Sequence, residues 1–505
     1  MPLPRRAIAS CLIAFVAGCG TVRGDPPVDD AARRWQRLAT EDIGAVHEAL
    51  AAAHPGAIDP ENPGFRDWLD AGPAKALADV PRIRSYDDML SVVRLYTAGF
   101  HDGHLGYSDD TRPSPDIVVD GWHVSSRGGT AVVDHLVPAW PSALPPIGSR
   151  LLGCDGRTAS RLVAEDIEPF TQAPVGEAGQ RMLWDGATRP PLSDMRWRSC
   201  SFLDADGRAM DLPQVWRRVS FERFAQLMRG GQWAPARHDN AEQRLPDGTL
   251  WIRAGNFQPS ADQNVALEHM LERLRDGPTA RRVVFDARGN GGGDSGIGQR
   301  IFAAATGGLE MDDIRLDQTA VTSAWWRVSD IALAGLAWRE SMLTERGGED
   351  VELRLVKQLH DAMTAAQAQG ESWVHQPGSD TPRLTREDMA ARGAHLRRPI
   401  AQVALLTDEN CVSACLDFAD LIRSIPRSVH IGTTTGADTV YIDIGKVRLP
   451  SGNALILPLK VWRHRLRGNN EPLVPDIPLS FDRENEEAIR RDVLESLDRR
   501  TATTR

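Results

Sequence analysis

The sequence predicts a multi-domain α/β protein whose C-terminal half is built on a parallel sheet covered by helices. Its 505 residues exceed what one hydrophobic core organises, so roughly two to four domains are expected. Residues 400–407 form an apolar run of strand length, residues 413–425 carry a helical pattern, and residues 429–432 are apolar again. Such a strand–helix–strand unit requires parallel pairing and a helix over the sheet. Residues 117–165, by contrast, hold short alternating runs separated by Gly, the texture of strands and turns. A composition of 41% hydrophobic and 25% charged residues is that of an ordinary folded chain.

Taken in order, the chain opens with Arg5 and Arg6 before an apolar run from Ala7 to Val16 that ends in small residues. The run is too short to cross a bilayer and has the form of a signal-peptide core. Val16-Ala17-Gly18-Cys19 resembles a bacterial lipobox, which implies lipidation at Cys19 and a lipid anchor in a bacterial membrane, with the chain on the periplasmic side. An ordinary signal peptide with an incidental Cys is the alternative. Residues 1–19 are thus a leader and residues 20–34 a tether.

Residues 35–115 are helical in pattern. Ser85 and Asp88 match a capping box, and Met89, Val92, Val93 and Tyr96 share one face of the helix that follows. The segment leaves its last helix through Gly99-Phe100-His101-Asp102-Gly103-His104. Residues 116–215 form a β-rich domain. Within it, the stretch from Ile147 to Gly156 resembles the PDZ pattern of a Gly-led strand, an Asp-Gly turn and a helix, with a generic hairpin as the competing explanation. The core is expected over residues 216–309 and 396–485, interrupted by a polar helical insertion without a clear strand at 310–395 and followed by a tail at 486–505.

A net charge of −10 without a Lys/Arg run argues against a nucleic-acid partner. Setting aside Cys11 and Cys19, the cysteines are Cys154, Cys200, Cys411 and Cys415, which spacing alone does not pair. Cys411 and Cys415 are expected to serve as small apolar packing residues.

Two turns follow strand ends in the α/β region, where open sheets place their ligands. One is Asp286-Ala287-Arg288-Gly289-Asn290-Gly291-Gly292-Gly293; the other runs from Thr407 to Ala414 through Ser413. A serine opening a helix sits among unpaired N–H groups at the positive end of the helix dipole. Glycines opposite it allow a backbone N–H to approach a developing oxyanion. Gly291, Gly293 and Gly296 also satisfy G-x-G-x-x-G, the pattern of a phosphate loop, but no convincing next strand ends in an acid, as a dinucleotide site requires.

Together these features resemble the tail-specific and tricorn-like serine peptidases, whose "Asp-x-Arg-x-Asn-x-Gly-Gly" turn forms the oxyanion hole and whose Ser-Ala pair opens the nucleophile helix. The resemblance implies a crotonase/ClpP-like α/β catalytic core, with Ser413 as nucleophile and Gly292 and Ala414 as oxyanion donors. Family members often carry Pro where Gly291 stands, and Pro has no N–H, hence the choice of Gly292. The tail-specific branch takes a Lys about 25 residues beyond its serine. Here Asp438 occupies that place, and Lys446, the first Lys downstream, lies outside the motif. The tricorn-like branch takes a His from an Asp-x-His turn, which Phe100-His101-Asp102-Gly103-His104 matches, so the resemblance makes His104 the base. His101 and His104 as metal ligands would be the other reading, with no third ligand evident.

Gly103 replaces the Ser that tricorn-type enzymes carry before their His. The closing turn Glu471-Pro472-Leu473-Val474-Pro475-Asp476-Ile477 resembles the family's, whose Glu completes the relay; Asp476 is expected to cap local N–H groups. The whole implies an exported serine endopeptidase acting on peptides or unfolded proteins, with no metal and no organic cofactor. A catalytically inactive peptide- or ligand-binding lipoprotein on the same fold is the principal rival, and a crotonase-type acyl-CoA enzyme a third reading.

Overall fold

The computed structural model describes residues 29–503 except 113–115, 128, 174–176, 187–189, 221, 223, 225–238, 309–320, 347–350, 383–399, 426–427, 466 and 480–484. The leader, Cys19 and part of the tether therefore lie outside the described residues.

Helices Asp30–Ala53, Pro63–Asp79 and Tyr86–Ala98 begin on local signals. Asp29 caps the first through Ala32 N, and Pro63 opens the second, where its missing N–H costs nothing. Ser85 and Asp88 form the reciprocal capping box of the third. Their apolar faces meet: Ile43, Val46 and Leu50 of the first and Met89, Val93 and Tyr96 of the third are buried in one core.

That core does not stop at the N-terminal helices. It continues through Leu336 and Leu359 of helices Asp330–Arg346 and Val351–Ala368, and through Leu455, Leu457 and Val461 of strand Ala454–Arg463. Strand Gly106–Ser108 pairs with Ala454–Ile456, and strand Val321–Arg327 pairs with the other end of the same long strand, Ser323 opposite Arg463. The segment expected as a helical insertion thus contributes strands as well as helices. The β-branched and aromatic run Val321–Arg327 finds its partner more than a hundred residues away, where no local pattern announces it.

The β-rich domain is an antiparallel sheet of Trp122–Arg127, Thr130–Leu136, Arg150–Cys154, Ser199–Leu203 and Ala209–Pro213. Cys154 and Cys200 lie opposite each other on neighbouring strands and are joined by a disulfide beside Trp122, Val124 and Phe202. The domain runs past residue 215, because Arg217–Ser220 pairs with Asp116–Val119.

The third body is a sheet in the order Asn240–Arg244, Leu250–Ala254, Arg282–Asp286, Gln402–Thr407, Val429–Gly432 and Ile477–Pro478, parallel except for its first pair. Alternate residues face opposite layers, as the strand period requires. Ile252, Val283, Phe285, Val403 and Leu405 meet helices Ala261–Asp276, Ser295–Thr306 and Ala414–Arg423. Trp251, Val284, Ala404, Leu406 and Ile431 face the other way, onto Ile489, Val493 and Leu497 of helix Glu486–Thr503. The segment expected as a tail is therefore the helix that covers the second face; its apolar residues recur every four positions in an otherwise charged stretch.

The sheet holds a pH-sensitive group. His430, almost fully buried on strand Val429–Gly432, has its pKa pushed down to about 4 by burial and then by the nearby Arg423. Its Nε2 lies 2.7 Å from Thr407 Oγ1. A His whose folded pKa is depressed contributes stability above its unfolded pKa, and that stability is lost as pH falls. The unfolding midpoint in urea is expected to fall between about pH 6.5 and pH 4, by roughly 3 kcal/mol of stability. His430→Gln is expected to flatten that part of the curve; an unchanged pH slope would reject the assignment.

Candidate active site

Asp286, Arg288 and Asn290 of the first motif turn each have a visible task. Asp286 ends its strand buried, bound by Arg288 Nε at 2.8 Å and by Trp251 Nε1 at 3.1 Å. Burial raises the Asp286 pKa and Arg288 lowers it, and the net shift is downward, so the buried carboxylate stays charged. Arg288 reaches on to Glu486 at 3.2 Å, tying the turn to the C-terminal helix. Asn290 donates to Ala254 O at 2.7 Å, its carbonyl accepts from Val412 N at 3.4 Å, and its Oδ1 accepts from Gly292 N at 2.8 Å. Asp408 binds the two turns together, its Oδ1 accepting from Gly289 N and from Asn410 N, both at 3.0 Å.

Ser413 sits between strand Gln402–Thr407 and helix Ala414–Arg423 with φ 54° and ψ −127°. A non-glycine residue holds such a conformation only where its surroundings impose it. A serine at a helix start ordinarily caps that helix; this one makes no side-chain cap. Its Oγ instead lies 3.1 Å from His104 Nε2. Ala414 is the first helical residue, so its N–H has no intrahelical acceptor. Gly292, at φ 87°, presses against this turn: a Cβ there would fall 2.8 Å from Ser413 Cβ and 2.8 Å from Val412 O.

The contrast between neighbouring glycines is testable. A Cβ on Gly291 would meet nothing within 4 Å. Gly292→Ala is expected to lower kcat by ~10²-fold through displacement of the serine turn, whereas Gly291→Ala is expected to stay within about twofold. Equal losses in the two variants would show that close approach at Gly292 is not what the site needs.

His104 reaches the serine because its loop is held from every side. Asp102 is buried beneath it, with Oδ1 accepting from His104 N at 3.0 Å and from Thr439 Oγ1 at 2.8 Å. The other carboxylate oxygen lies 3.1 Å from His54 Nε2, and His54 Nδ1 accepts from Gly56 N, so Nε2 carries the proton that bonds Asp102. Gln172 of the β-rich domain donates to Asp102 O at 2.6 Å, and Asn470 donates to His101 O at 2.8 Å. Asp102, His54, Thr439 and Asn470 are the supports that sequence reading missed. Asp102 alone left a trace, as the first residue of its Asp-x-His turn.

Other expectations meet a different arrangement. His104 Nδ1 is buried with no hydrogen-bond partner among the described residues. Glu471 therefore does not hold the imidazole here; its Oε2 accepts from Gly468 N at 2.7 Å, a donor three residues back in its own turn. The N–H of Gly292 is likewise taken by Asn290 Oδ1. Cys411 and Cys415, expected as packing residues, are joined to each other by a disulfide across Ser413. Asp476, expected to cap local N–H groups, instead accepts from His430 N at 2.9 Å, a donor 46 positions away on strand Val429–Gly432. Lys446 is exposed and paired with Asp110.

Comparison with known proteins adds the following. The family model for peptidase family S41 matches residues 249–479. No curated protein matches the chain. Among solved structures, mature CPAF complexed with lactacystin superposes with a TM-score of 0.56 at 13% identity, covering 92% of this chain and 98% of that one. Mature CPAF superposes with a TM-score of 0.54 at 12% identity, over 90% and 94% of the two chains. The likeness in fold thus extends over the N-terminal helices and the β-rich domain, beyond the segment that the family model matches. That segment holds both motif turns, helix Ala414–Arg423 and the last strand of the parallel sheet, and over it the chain is similar to peptidase family S41.

Proposed function

We propose that the chain is an exported serine endopeptidase acting on peptides and unfolded proteins, with Ser413 as nucleophile and His104 as general base. The observation that carries this reading is the 3.1 Å contact between His104 Nε2 and the Oγ of a serine held at positive φ. In the reaction, Oγ attacks the scissile carbonyl carbon while its proton passes to Nε2. The tetrahedral oxyanion is met by the Ala414 N–H and by the Gly292 N–H once it turns from Asn290. Collapse expels the amine, which takes the proton from Nε2, and leaves an acyl-serine. Water, deprotonated by the same nitrogen, then releases the acid and restores Ser413.

Glu471 is the orienting carboxylate in this proposal: as positive charge builds on the imidazole, it exchanges Gly468 N for His104 Nδ1. Two features support it, the unpartnered Nδ1 and the bond from the adjacent Asn470 to the His104 loop. Cys19 is proposed as a lipid anchor on the periplasmic side of a bacterial membrane. A protein that only binds peptides would have no use for a bare imidazole nitrogen against a strained serine, which favours the enzyme over its inactive rival. Hydrolysis of an unstructured protein by the parent chain and by Ser413→Ala tests the reading, and equal turnover would remove it.

A further inference from the structure

We infer that the Cys411–Cys415 disulfide is a redox clamp on the nucleophile, making turnover depend on an oxidising compartment. The inference rests on Ser413 being the nucleophile. The two cysteines stand on either side of Ser413, their Cα atoms 5.3 Å apart, and both are fully buried in the layer beneath the nucleophile helix. Between them the chain must reverse from an incoming turn, where Cys411 N donates to Asp408 O at 3.1 Å, into the helix, where Cys415 N donates to Val412 O at 3.1 Å. Ser413 makes that reversal at φ 54°. Its side chain makes no cap and its carbonyl accepts from Leu416 N at 2.8 Å, and the covalent link across it adds a restraint against the relaxed alternatives.

The chemistry is an ordinary exchange. A dithiol gives up two protons and two electrons, its thiolate attacking one sulfur and its second thiol resolving the mixed disulfide. The products are the Cys411 and Cys415 thiols and the oxidised dithiol. With the link open, Ser413 relaxes toward negative φ and its Oγ leaves the line to His104. A displacement of about 1 Å at a reacting atom costs on the order of 10²-fold in rate. A newly made chain would therefore be slack in a reducing cytosol and become competent on reaching an oxidising compartment.

The test compares the oxidised parent, the parent treated with dithiothreitol, the same sample reoxidised, and Cys411→Ala/Cys415→Ala. The readouts are kcat, KM and amide hydrogen exchange of residues 408–416, with thiol mass labelling to verify reduction. Reduction is expected to lower kcat by ~10- to 100-fold with KM within about twofold, to speed exchange in that segment, and to reverse on reoxidation. The double variant is expected at the reduced level and indifferent to dithiothreitol, which separates this bridge from Cys154–Cys200. Cys411→Ser/Cys415→Ser replaces it should the alanine pair fail to fold. Verified reduction with kcat and exchange unchanged would overturn the clamp, as would a loss carried by KM alone. An oxidised parent that hydrolyses nothing would instead count against the peptidase reading, and the exchange of residues 408–416 would still decide the clamp.

Discussion

Ser413→Ala is expected to lower peptide hydrolysis by ~10⁶-fold while leaving the melting temperature close to that of the parent. The change deletes one oxygen whose hydrogen bond in this structure is to His104, and it leaves Cβ, the disulfide and the helix start in place. Alanine is no more strained than serine at this φ, because the steric cost arises at Cβ, which both possess. Binding need not fall with turnover, since the glycine turn, Ala414 N–H and the surrounding walls remain. A substrate peptide should therefore bind the variant about as tightly as it binds the parent. Undiminished hydrolysis would mean that another group attacks, and a large loss of thermal stability would mean that the serine is a structural residue of the turn.

The legible parts of this chain are those whose partners lie close in sequence. The capping box of Ser85 and Asp88, the two motif turns and the apolar run of the buried strand Gln402–Thr407 are all readable, because each records a local requirement of backbone or burial. What could not be read is pairing over distance. Val321–Arg327 lies between Ala454–Arg463 on one side and Trp373–His375 on the other, and the N-terminal helices belong to that same core rather than to a domain of their own. Helix Glu486–Thr503 escaped notice because few apolar residues suffice to cover one sheet face from outside.

The site shows the same division. Ser413 and Gly292 announced themselves through their turns, whereas the contact of Ser413 with His104 spans 309 positions and came only through resemblance. His54 and Thr439, which converge on Asp102 from two other parts of the chain, left no signal at all. The Cys411–Cys415 pair was visible as a spacing, yet four residues separate many buried cysteines that never bond. Only the turn at Ser413, which folds one Cys back toward the other, makes the link geometrically possible.

Glu471→Gln is expected to lower turnover by ~10²- to 10⁴-fold, and in the His104→Ala background to do little more than His104→Ala alone. The side-chain amide keeps the shape of Glu471, and its oxygen can still accept from Gly468 N as the carboxylate does now. What is lost is the negative charge that the imidazolium requires during acylation. His104 Nδ1 is buried and without a partner among the described residues, so a proton held there in the charged intermediate has no solvent to stabilise it. A carboxylate arriving at Nδ1 fixes the tautomer that leaves Nε2 free to accept the serine proton, which an amide cannot do with charge. The loss should fall on kcat, since the charge is needed only once the proton has moved. Additive losses in the double variant would show that Glu471 supports its own turn and nothing else. The imidazole would then be oriented through its backbone alone, by Asp102 gripping His104 N, and Asp102→Asn rather than Glu471→Gln would carry the non-additive effect.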